Sequence, residues 1–325
     1  MACFWLALIE ALDQVMEDLV ASITAMSTSR MRAIHTRRDP QPVLNDPWGD
    51  QLVPASMLVA AIAQKNPESN NNIGDVSEQE LSSISDEFLR GSPAYTNVII
   101  RARYTEDALS AAIARGTRQY VLIGAGFDSY TLRIPPQAND VTVIEIDHPA
   151  TQSLKKQRIG KCGLAVSGNV HFVAADLSRE GLENALARST FSSAEPAFFA
   201  WLGVTMYLTR EANMATLESI SHCSAPGSEL VFSYIDQKMF EPAGAQQAAL
   251  FDDLEKTVRS LGEPFISGFD PASLAAVLSN VGLELEEDLN EFQMVERYDP
   301  EGRNGLKPAD RSHVARVRVR GAPQV

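Results

Sequence analysis

Cysteine is scarce. Cys3, Cys162 and Cys223 stand far apart in 325 residues with no C-x-x-C pair among them. That excludes a disulfide framework, argues against a zinc site, and leads us to expect a reduced, cytoplasmic protein. Long basic runs are missing too. The 28 Lys and Arg are outnumbered by 42 Asp and Glu, for a net charge of -14, so polyanion binding is disfavoured and no nucleic-acid partner is expected. No apolar run reaches the length of a membrane span, and no membrane partner is expected. The most apolar stretch, at the N-terminus, has no basic residue ahead of it and is interrupted by Glu10, Asp13, Glu17 and Asp18, unlike a signal peptide. Its Phe4, Leu8, Leu12, Val15 and Leu19 recur at helical spacing, which predicts an amphipathic helix docked on the body.

What the chain does have is hydrophobic content, 45%, enough for one large core or two modest ones. The first 115 residues read as a mostly helical cap, with helical patterning over 79–89 and 93–113 and a polar stretch over 66–78 that suits a surface loop. From Gln119 strands alternate with helices. The strands expected are 120–123, 141–146, 170–174, 197–202, 229–235, 283–288 and 314–319. This pattern predicts an α/β fold: a Rossmann-like, doubly wound seven-stranded sheet, mostly parallel with an antiparallel edge strand. Arg316, Arg318 and Arg320 alternate with Val317 and Val319, as in a half-buried strand, and so place the last strand at that edge. Residues 237–266 form an insertion and a candidate lid over the ligand crevice. After it, Asp270-Pro271 reads as the N-cap and first position of a helix.

The apolar run Val121-Leu122-Ile123 closes in Gly124-Ala125-Gly126-Phe127-Asp128. It reads as the first central strand of the sheet, with glycines that let backbone N–H groups approach a ligand as the chain enters a helix. The dinucleotide fingerprint wants a third small residue after a fixed gap, and Phe127 and Asp128 break that pattern before Ser129. Two later strands also end in acids. Asp147 has the position of a carboxylate that accepts ribose hydroxyls, with Glu145 two residues back as a substitute, and Asp176 could accept an adenine amine. Helix capping is the structural alternative for each acid.

The stretches Arg101-Ala102-Arg103-Tyr104, Leu122 to Asp128, Glu145 to Gln152, Asp176-Leu177 and Gly203-Val204-Thr205-Met206-Tyr207-Leu208 together resemble the leucine carboxyl methyltransferase family of S-adenosylmethionine-dependent enzymes, in its bacterial and secondary-metabolite branch. The resemblance implies S-adenosylmethionine as cofactor and a small molecule as methyl acceptor. It implies that Arg101 meets the methionine carboxylate of the cofactor, with Arg30 as the second basic residue, from the cap. Gly124 and Gly126 would lie beneath the cofactor, Asp147 on its ribose, and Asp176 and Leu177 around its adenine. Two departures stand out: Leu202 occupies a position where the family commonly has Glu, and Ser129-Tyr130 replaces Thr-Arg after Asp128. Tyr207 is the candidate to touch substrate or cofactor as a catalytic residue, whereas His148 reads as a helix cap. A carboxylate acceptor would be ionised already and need no base, while a phenol would need one. The alternatives are a cofactor-binding protein without turnover and a nicotinamide oxidoreductase.

Overall fold

The computed structural model describes residues 21–65, 76–240 and 254–320. The N-terminal amphipathic helix expected over residues 4–19 lies outside them, as do most of the polar stretch after Lys65 and residues 241–253 of the insertion. Seven strands form one sheet in the order β3-β2-β1-β4-β5-β7-β6. They are β1 (Gln119–Ile123), β2 (Thr142–Asp147), β3 (Val170–Ala174), β4 (Ala197–Trp201), β5 (Glu229–Ile235), β6 (Leu283–Asn290) and β7 (Ser312–Val319). The first five run parallel, as their continuous apolar character requires: β1, β4 and β5 are buried along their whole length.

β7 runs antiparallel to both β5 and β6. It lies one place in from the edge expected for it, because β6 covers its outer side. The acids of β6 explain the placement: Arg318 pairs with Glu286, and Arg316 lies 3.4 Å from the same carboxylate. Arginines alternating along a strand therefore meet a charged neighbour rather than solvent alone.

The cap consists of α1 (Ile23–Arg38), α2 (Gly49–Leu52), α3 (Ala55–Lys65), α4 (Glu78–Gly91) and α5 (Tyr95–Ala114). One apolar core joins cap and sheet, since Ile34, Leu52, Ile99 and Leu109 cluster with Tyr120, Leu122 and Phe198. α4 is opened by a reciprocal Ser77–Glu80 capping box. Beyond the cap the helices are α6 (Pro149–Lys161), α7 (Leu182–Leu186), α8 (Arg210–Cys223), α9 (254–260), α10 (Pro271–Asn280) and α11 (Glu291–Tyr298). Asp270 caps α10 through the Ala272 N–H at 3.0 Å, with Pro271 in the first turn, as the dipeptide predicts.

Two buried ion pairs brace this frame. Lys155 Nζ lies 2.6 Å from Glu145 Oε2, each side chain 1% exposed, so Glu145 is committed to α6 and does not share a ribose site. Arg32 Nε lies 2.8 Å from Asp46 Oδ2. Burial opposes the Asp46 charge, but Arg32 and Arg133 outweigh it and hold the carboxyl below its ordinary range.

Candidate active site

Parallel strands bring their carboxyl ends to one rim, and a cavity of about 1110 Å³ opens there between sheet and cap. Its floor is the turn after β1. Gly124 and Gly126 have φ of +69° and +51°, a left-handed conformation that glycine adopts without strain. Space also forbids side chains: a Cβ on Gly124 would lie 2.4 Å from Val204 Cγ2.

The N–H groups of Gly124, Ala125 and Gly126 are not offered to a ligand. Those of Gly124 and Ala125 donate to Ile146 O at 2.9 and 3.1 Å, and that of Gly126 donates to the Asp147 carboxylate. Nor does a regular α-helix follow; the next element is a single 3-10 turn, Tyr130–Leu132. The expected approach of free backbone donors at a helix start is therefore corrected. The glycines provide room, not an anion nest.

Asp147 ends β2 and lines the cavity. Besides Gly126, its carboxylate accepts from the His148 N–H at 2.6 Å. Burial pushes its pKa upward against the opposing effect of these two backbone donors. Each carboxylate oxygen has more than one lone pair, so hydroxyl donors from the cavity can still be accepted. His148 accepts the Ala150 N–H at 3.4 Å as N-cap of α6, the capping role expected of it.

Arg101 reaches the rim from α5. Its Nη1 donates to Asn97 Oδ1, one helical turn away, at 2.8 Å, and its Nη2 lies so close over Gly203 that a Cβ there would be 2.4 Å from it. Among the described residues no carboxylate lies within ion-pairing distance of this guanidinium. Burial pulls its pKa down to about 10. Glu291 favours the charge only from beyond contact distance, and a buried cation that faces a cavity without a direct carboxylate partner invites an anion.

Arg30 does not join it. Its guanidinium is 1% exposed and donates to Val53 O at 2.9 Å, Ser85 Oγ at 3.2 Å and Asp86 Oδ1 at 3.1 Å, which ties α1 to α4 inside the cap. Arg32, two residues on, lines the cavity instead. Residues two apart on a helix point about 200° from one another, so only one of the two can face the site.

Asp176 and Leu177 are not brought into the cavity wall either. Asp176 lies just beyond Ala175, whose N–H donates to Asp147 O at 2.8 Å, so its backbone is at the rim. Its carboxylate, however, accepts from the Ser178 N–H at 2.9 Å and Ser178 Oγ at 2.6 Å and pairs with Arg179 at 3.1 Å. That closes a local turn rather than capping a helix, since the next helix begins at Leu182 behind Gly181. Leu177 packs against the core on the other face of the sheet, and neither residue lines the cavity.

Leu202 and Tyr207 do line it. Tyr207 sits in the single 3-10 turn after β4 with its ring 5.6 Å from Phe265, centroid to centroid. Burial, reinforced by Glu263, raises its pKa, so the phenol stays protonated at neutral pH.

Sequence reasoning missed several wall residues. Glu263 accepts the Ile23 N–H at 3.1 Å and the Thr24 hydroxyl, fixing the second half of the insertion over the start of α1. On the far side Glu291 accepts Ser312 Oγ at 2.5 Å and the Ala309 N–H at 3.0 Å, and burial raises its pKa. Beside it Arg311, 8% exposed, donates through Nη2 to Pro93 O at 2.8 Å, and its Nε and Nη1 have no hydrogen-bond partner among the described residues. Asn97 was legible as the residue one turn before Arg101. Arg311 and Ser312 were not, because only the antiparallel pairing Ile235↔Ser312 brings the start of β7 to the carboxyl end of β5.

This geometry has relatives. A candidate S-adenosyl-L-methionine-dependent methyltransferase of Bacillus subtilis, YktD, is 29% identical over 277 residues, covering 83% of this chain and 88% of that protein. A candidate S-adenosyl-L-methionine-dependent methyltransferase of Mycolicibacterium smegmatis is 32% identical, covering 70% of this chain and 72% of its own length. The crystal structure of a candidate methyltransferase from Thermobifida fusca superposes with a TM-score of 0.51 at 15% identity, covering 80% of this chain and 94% of that one, a likeness of fold. Residues 25–221 match the family model described as leucine carboxyl methyltransferase, and the chain belongs to that family.

Proposed function

We propose that the protein is an S-adenosylmethionine-dependent O-methyltransferase that acts on a carboxylate or hydroxyl group of a small molecule. Methyltransferase activity with this cofactor agrees with the family and with the names of its relatives. The observation that carries the reading is Arg101, a guanidinium without a carboxylate partner among the described residues, poised over Gly203 in the cavity that Gly124 and Asp147 also line.

The residues present fit the cofactor. Arg101 would hold its amino-acid carboxylate, Asp147 its ribose hydroxyls, and the side-chain-free turn at Gly124 and Gly126 gives it room. Bound there, the cofactor supplies an electrophilic methyl group on a sulfonium. A dinucleotide fits less well: the N–H groups of Gly124, Ala125 and Gly126 are occupied and no α-helix N-terminus follows to meet a pyrophosphate.

The chain's own task is then to position and enclose. Tyr207 and Phe265 wall the cavity beside Leu202, and Glu263 ties the overlying segment to α1, which keeps water from the reacting groups. A carboxylate acceptor arrives ionised and requires only alignment. A hydroxyl acceptor needs a base. Tyr207, held protonated, cannot serve; Glu291, a buried carboxylate in the cavity wall with a raised pKa, can.

Calorimetric titration with S-adenosylhomocysteine and with NADH separates the enzyme classes, and binding of NADH alone would overturn the assignment. Methyl transfer to a panel of acids and phenols then tests O-methylation. Carboxylate transfer is expected to be flat with pH above about 5, whereas hydroxyl transfer through Glu291 rises with pH through a value above the ordinary carboxylate range.

A further inference from the structure

A second cavity, of about 290 Å³, adjoins the first at the cap helices, where Ile62 on α3 and Phe88 and Leu89 on α4 line both. The walls of this annex include Leu58, Leu81 and Ile84, and Ser85 is its one polar wall residue among those described. Ile84 and Phe88 are 67% and 65% exposed, large apolar side chains left facing outward at its mouth. Exposed apolar surface beside a binding cavity is what a ligand groove presents, and apolar cavities take apolar guests.

α5 gives the direction. Arg101 stands at the sheet rim, Asn97 lies one turn and about 5.4 Å earlier on the helix, and Pro93 sits in the turn that leads into it. The annex opens past that point, at Leu89 and Phe88. A molecule with its reacting oxygen at the rim and its body along α5 has its far end directed toward that shared wall.

We propose that the annex between α3 and α4 binds the hydrocarbon tail of the methyl acceptor, which makes the acceptor an amphiphile: an oxygen-bearing head on a long apolar chain. The proposal rests on the methyltransferase reading for the head and on the annex for the tail. Each buried methylene is worth about fourfold in affinity, so a straight-chain series reads the annex directly.

The test is calorimetric binding of saturated acids from butanoic to hexadecanoic, and of the matching 4-alkylphenols, to the full chain with and without S-adenosylhomocysteine. Methyl transfer to the same series is measured alongside. Expected is an affinity that climbs about fourfold per methylene over part of the series and then levels. Ile84→Glu, at an exposed position that tolerates change, and Leu81→Trp should each flatten the climb while S-adenosylhomocysteine binding and butanoate binding stay unchanged. Affinity independent of chain length, or a climb that both variants leave intact, overturns the proposal. Failure of the wild type to bind S-adenosylhomocysteine would instead sink the methyltransferase reading, and the chain-length result would still decide the annex.

Discussion

Replacing Arg101 by Leu tests the cofactor site most directly. With burial pulling the guanidinium down to about 10, well below the ordinary arginine range, holding the charge in the free protein costs on the order of 3 kcal/mol at neutral pH. That cost is present below pH 10 and vanishes as pH rises into the ordinary arginine range, where both folded and unfolded chains lose the proton. The net gain when a carboxylate binds the charged guanidinium is that of charge-assisted hydrogen bonds, about 1.5–3 kcal/mol. Arg101→Leu is therefore expected to weaken S-adenosylhomocysteine about ten- to one-hundred-fold by calorimetry. The free variant should melt no lower than wild type, because removing the desolvated charge offsets the lost Asn97 hydrogen bond, worth about 1 kcal/mol. In the wild type, affinity should hold steady from pH 7 to 9 and fall above 10. An Arg101→Leu protein that binds within about threefold of wild type would refute the reasoning.

Gly203→Ala should mimic that loss without touching the arginine, since φ is +70° and the new Cβ would displace Arg101 Nη2; S-adenosylhomocysteine affinity should drop about tenfold or more, and equal affinity in the two proteins would count against it. Tyr207→Phe keeps the ring against Phe265 and removes the hydroxyl, so methyl transfer should slow by about tenfold or less, and a loss of several orders of magnitude would mean the phenol takes part in the chemistry. Glu291→Gln should leave carboxylate methylation within a few fold and abolish the pH-dependent limb with phenols, as read from kcat against pH. Lys155→Met strands the Glu145 carboxylate in the core and should lower stability by about 3–5 kcal/mol in urea unfolding.

Periodicity located the strands because burial on both faces leaves little freedom in β1, β4 and β5. The glycine turn and Asp147 were legible for a similar reason: the strand ends fix where they must lie. Arg30 was not, since α1 is buried over most of one stretch, Ser29 through His35, and shows no polar face from which to choose between Arg30 and Arg32. Asp176 illustrates another limit. Its backbone reached the rim as expected, but a carboxylate with a serine two residues on has a local partner that spacing along the chain cannot weigh against a distant cavity. Arg311 and the annex depend on how β7 and the cap helices pack, which no local pattern states.

The late insertion of β7 between β5 and β6 has a consequence for synthesis of the chain. β5 is apolar and fully enclosed, yet the strand that satisfies its outer backbone groups is translated some 75 residues after it. Until Ser312–Val319 emerges, a nascent or truncated chain carries an open, greasy ladder with half its peptide groups unsatisfied. A stop codon before Ser312 should therefore yield aggregated material, even though every glycine and acid of the cofactor cradle has already been made.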